Sequence, residues 1–106
     1  MAKFVAQKLD LDLELTTLKG EEIIVVPKEF INAQKCVEIM NHWTKLENAA
    51  KKDKDSNPLE TIAIELAMIY DKDKNWFLEN IEPGTLTEIL VYVAETIGGV
   101  KKNLKK

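Results

Sequence analysis

Two stretches, residues 59–70 and 86–97, are apolar on nearly every side, and any fold open to this chain must find cover for both. At helical spacing Leu59, Ile62, Ala63, Leu66, Ile69 and Tyr70 make one face of the first, yet Ile64, Ala67 and Met68 fall on what should be the solvent side. In the second, Leu86, Ile89, Leu90, Val93 and Ile97 form the core stripe, and Val91, Tyr92 and Ala94 spread beyond it. A helix apolar all round is a core or membrane helix. Here each run is interrupted by Glu65, Glu88 or Glu95 and falls short of the ~20 apolar residues that span a bilayer. No membrane passage is expected, and protein contact is the remaining use, with Ile64, Met68, Val91 and Tyr92 as the expected contacts.

The rest of the chain predicts a mostly helical α+β domain with a hairpin at its start. Leu9, Leu11, Leu13 and Leu15 alternate with Asp10, Asp12 and Glu14, the period of a strand with one wet and one buried face. Gly20 supplies a turn, and residues 22–26 read as the return strand, giving a hairpin over about 8–26. Ile23, Ile24, Val25 and Val26 are apolar on both faces, so Ile24, Val25 and Val26 are expected to mediate self-association. Pro27 ends the sheet. A long helix is predicted over about 28–52, with Cys36, Ile39, Trp43, Leu46 and Ala50 on its stripe and Phe30, Ala33, Val37 and Met40 alongside. It runs into a charged loop, residues 51–56.

Asn57-Pro58-Leu59-Glu60 combines a cap, an N1 proline and an early glutamate, which starts a helix over 58–70. A short helical turn over 76–81 follows, then a break at Glu82-Pro83-Gly84 and a last helix over 85–97, capped at Thr85 and stopped at Gly98-Gly99. Trp76 and Phe77 place large apolar groups between polar turns, as bundle plugs or as partner anchors. At 106 residues this is one domain, over 1–100, followed by a basic flexible tail over 101–106.

Charge and chemistry narrow the function. The first 100 residues hold all 18 acidic side chains and 11 of the 15 lysines, a net of −7, while the last six residues carry four lysines. All basic residues are lysine, so the bidentate fork favoured by guanine edges and phosphates is missing and nucleic-acid binding is not expected. Asp71, Asp73, Asn75 and Glu82 have the spacing of a calcium loop, but Trp76 replaces the glycine of its sharp turn, and a helix-to-helix connection is expected instead. Cys36 and His42 are two ligands where structural zinc needs four, and Cys36 on an apolar stripe reads as an inert buried thiol. The four glycines make no phosphate loop, and no pair of carboxylates is singled out for acid–base work, so neither cofactor nor enzymatic activity is expected. One cysteine excludes an intrachain disulfide and no charged-then-apolar leader opens the chain at Met1, which predicts a cytoplasmic protein.

The order of parts, an acidic hairpin, a long helix with a charged exit and apolar helices, ends in Asn75-Trp76-Phe77-Leu78-Glu79-Asn80-Ile81, Gly84-Thr85-Leu86-Thr87-Glu88-Ile89-Leu90 and Lys101-Lys102-Asn103. It resembles the small tail assembly chaperones of long-tailed bacteriophages and prophages. The resemblance implies a protein that coats the long, helical, apolar-striped tape measure protein and keeps it soluble while tail tube subunits assemble around it. It also implies a frameshifted long form of the chain as a further partner, along with the tail tube protein, and a homo-oligomeric state. The alternative is a homo-oligomeric structural or scaffolding protein, with the same surface buried between identical chains.

Overall fold

Leu11, Leu13 and Leu15 turn into the core while Asp12, Glu14 and Thr16 face outward, so the leucine alternation is the burial pattern of the first strand. A computed structural model describes residues 1–6 and 9–99 and shows a mostly helical α+β protein. β1 (Leu13–Thr16) and β2 (Glu22–Val25) form an antiparallel hairpin, followed by α1 (Ala33–Lys52), α2 (Pro58–Ala67), α3 (Lys74–Asn80) and α4 (Pro83–Ile97). The strand register runs from Leu13 opposite Val25 to Thr16 opposite Glu22. Thr17 closes the turn: its carbonyl accepts from Gly20 N–H at 2.9 Å, its N–H donates to Glu21 O at 2.8 Å, and its hydroxyl accepts from Glu21 N–H at 3.2 Å. Gly20 takes φ +88°, where a side chain would be strained.

The elements are shorter than the sequence pattern at three places, and one cause explains two of them. Val26 O accepts from Asp71 N–H at 3.1 Å, and Lys28 N–H donates to Ile69 O at 2.9 Å, around an isolated bridge between Pro27 and Tyr70. Residues 26–28 are thereby held extended, and α1 begins at Ala33 instead of 28, with Asn32 Oδ1 accepting from Lys35 N–H at 2.8 Å. The same pairing draws residues 69–71 out of helical geometry, so α2 stops at Ala67 instead of Tyr70. The hairpin ladder is confined to Leu13–Thr16 and Glu22–Val25: the register would set Leu11 opposite Pro27, which has no N–H to donate and is bridged to Tyr70, and the Leu11 carbonyl accepts from the Tyr70 hydroxyl at 2.6 Å.

Two helices start earlier than expected. Asp73 caps α3, its carboxylate accepting from Trp76 N–H at 2.8 Å, so the turn placed at 76–81 is a helix from Lys74. Glu82 caps α4, accepting from Thr85 N–H at 2.8 Å, and Pro83 and Gly84 are the first residues of that helix instead of a break before it. Proline lacks only the N–H that the first helical turn leaves unused.

A hydrophobic core cluster draws on every element, with Val25, Ala63, Leu66, Phe77 and Val93 at 0% exposure. No helix among the described residues is long and apolar enough to cross a membrane. The basic tail expected over 101–106 lies outside the described residues.

Candidate partner-binding surface

The periodicity of α1 sends Cys36, Ile39 and Trp43 inward, and the Trp43 indole N–H donates to Glu65 O at 3.2 Å, which locks the helix against α2. The apolar arc of this helix is wider than its buried face. Phe30, just before the helix, and Val37 and Met40 on it remain 68%, 59% and 44% exposed. They border a mostly apolar groove of about 610 Å³ between the start of α1 and the end of α4, whose far wall is Thr96, Ile97, Gly98 and Gly99. Among the described residues the one titratable side chain in the lining is Cys36, and burial raises its thiol, which keeps it protonated and unreactive. Such a groove offers shape and apolar contact.

The residues expected to meet a partner are dispersed. Val91 and Tyr92 are exposed on α4, and the Tyr92 hydroxyl donates to Asp10 O at 2.8 Å, tying that ring to the N-terminal segment. Ile64 and Met68 are half-buried, and Met68 packs against the core. Trp76 is half-buried with the Lys72 ammonium 5.4 Å from its ring centre. Phe77 is wholly buried, edge-on to Trp76 at 5.3 Å and to Tyr70 at 6.4 Å, and so plugs the core instead of anchoring a partner. Val25 is likewise wholly buried opposite Leu13, which leaves Ile24 and Val26 as the exposed apolar side chains of the hairpin's second strand and its exit. Exposed apolar side chains are therefore spread over the N-terminal segment (Phe4, Val5), the hairpin (Leu18, Ile24, Val26), α4 (Val91, Tyr92) and α1 with the residue before it (Phe30, Val37, Met40), and the last set is the one that borders an apolar groove, where the sequence placed only a margin of the core stripe.

Glu65 is the residue that pattern reading missed. It interrupts an apolar helix in the sequence, but in the fold it is 1% exposed, and its Oε2 has no hydrogen-bond partner. Burial, and then the Glu47 carboxyl beside it, push its proton affinity up to about pKa 8, so the group is neutral at pH 7. The signal for it would have been the wide apolar arc of α1, which brings Glu47 over α2.

The calcium-like spacing is taken apart by capping. Asp73 is turned to α3 and Glu82 to α4, where the N–H of Thr85, then that of Gly84, and the Thr85 hydroxyl hold the Glu82 carboxyl below its usual range. Among the described residues no group of three or more His, Cys, Asp or Glu side chains is arranged to hold a metal ion. His42 is exposed on α1.

Comparison of the chain with models of known protein families, with characterised proteins and with solved structures gives no significant match.

Proposed function

We propose that this protein is a tail assembly chaperone of the long-tailed phage and prophage type, which binds the tape measure protein in the host cytoplasm and keeps it soluble during tail tube assembly. The observation that carries the reading is the exposed stripe of Phe30, Val37 and Met40 beside the apolar groove closed by Ile97. A helical client with one apolar stripe would lay that stripe along α1 and into the groove, as amphipathic helices do in other hydrophobic clefts. Methionine at position 40 suits a client whose side chains vary along its length, because an unbranched thioether repacks easily. The order of elements in the C-terminal half supports the same reading through its resemblance to that family.

The test is a double substitution, Val37→Glu with Met40→Glu. Both positions are exposed, so folding should change by no more than about 0.5 kcal/mol at each, and helical circular dichroism should be retained. Co-expressed tape measure protein should precipitate with the variant and stay in solution with the parent chain. Soluble tape measure protein beside a folded variant would refute the chaperone surface. A variant that instead falls from an oligomer to a monomer by light scattering, with the client still soluble, would assign the stripe to self-assembly.

A further inference from the structure

We propose that the groove between α1, α2 and α4, with Glu65 at its base and Glu47 on its wall, receives the guanidinium or ammonium head of a basic side chain carried by a partner polypeptide. This groove, about 350 Å³ in volume, is separate from the one at the end of α4; Ala50, Pro58, Ile62 and Leu90 supply its apolar walls. Glu65 is 1% exposed and its Oε2 has no hydrogen-bond partner. The group beside it is the carboxyl of Glu47, with which the protonated Glu65 shares a hydrogen bond, so the atom still in need of a donor is Oε2.

The neighbouring groups supply no donor to Oε2. The Trp43 indole N–H is used on the Glu65 backbone carbonyl, and the Ser56 hydroxyl is used on Ala50 O at 2.8 Å. Lys51 from α1 lines the same groove, and among the described residues no ion pair joins it to either carboxyl. Thr61 from α2 and Leu90 from α4 complete the lining and carry no charge. A long basic side chain fits this arrangement because its methylene stem lies on apolar walls while its charged head meets both carboxyls. A bare metal ion fits less well, since only two carboxylates converge here.

When the groove is empty, burial and Glu47 keep a proton on Glu65, so a cation that enters must displace it. Binding then tightens as pH rises, by about tenfold per unit up to the pH where that proton is lost. This inference holds for any partner with a suitably placed basic residue and does not rest on the chaperone reading.

The experiment titrates the 15N-labelled full chain with Nα-acetyl-arginine methylamide, following the Trp43 indole N–H, which is bonded to the Glu65 carbonyl. The expected result is a saturable shift at pH 8 that weakens about fivefold at pH 7 and is lost in Glu65→Gln, whose amide has the shape of the neutral acid and preserves the fold. Glu47→Gln, at an exposed position, should weaken binding as a second, independent variant. Nα-acetyl-norleucine methylamide, which keeps the stem and lacks the charge, should give no saturable shift. No saturation with the arginine probe, equal binding of the norleucine probe, or undiminished binding to Glu65→Gln would each overturn the proposal.

Discussion

Burial at position 65 strips water from a carboxyl and sets Glu47 beside it, so its proton leaves near pH 8 instead of near 4.5. Between those two values the folded chain holds a proton that the unfolded chain has lost. Stability therefore falls as pH rises from about 4.5 to about 8 and is flat, as far as this group is concerned, on either side. We expect the Tm of the parent chain to decline across that window in scanning calorimetry. Glu65→Gln, which cannot ionise, should remove the decline and melt higher than the parent at pH 8; an unchanged slope in the variant would place the titration elsewhere. Tyr70 behaves differently. Its hydroxyl is also pushed up by burial, but it donates to Leu11 O throughout the physiological range and so contributes a constant tie between the segment after α2 and the segment leading into β1.

Caps decide where the short elements begin, and α3 shows it most clearly. A seven-residue helix is too short to persist on its own propensity, and the Asp73 carboxylate on Trp76 N–H holds its first turn while Phe77 anchors it in the core. Asp73→Ala should cost about 1 kcal/mol and lower Tm by roughly 4–8 °C in a domain of this size, whereas Asp73→Asn, which still caps, should change it little. Thermal circular dichroism distinguishes the two. Local chemistry of this kind was legible in the chain: Asn57-Pro58 does start α2, the Leu11, Leu13 and Leu15 alternation is the buried face, and Gly20 does turn the hairpin. What was not legible is set by contacts distant in sequence. The start of α1 and the end of α2 are fixed by the pairing of residues 26–28 with 69–71, which no periodicity within either helix encodes. Pro83 misled for a different reason, since the same residue ends one helix and begins another and only the Glu82 cap tells which.

At the scale of the whole molecule, the question raised by two helices apolar all round has a specific answer. The core covers most of α2 and α4 by drawing on every element, Val91 and Tyr92 stay exposed on α4, and a further apolar set, Phe30 with Val37 and Met40 of α1, stays exposed beside a groove closed by Ile97. The sequence placed surplus apolar surface on Ile64, Met68, Val91 and Tyr92; Val91 and Tyr92 are exposed, while Ile64 and Met68 are half-buried, because helical wheels show which residues share a face and not which face wins the core. Phe77 and Val25 went the other way and are interior. The central claim is that the α1 stripe and its groove are where a helical client is held. Methyl cross-saturation on the labelled chain, bound to unlabelled tape measure protein, tests it most directly. The account predicts loss of signal at Val37, Met40 and Ile97, with the core methyls of Ala63, Leu66 and Val93 unaffected; a footprint that leaves Val37 and Met40 untouched and falls on Ile24 or on the outer face of α4 would contradict it.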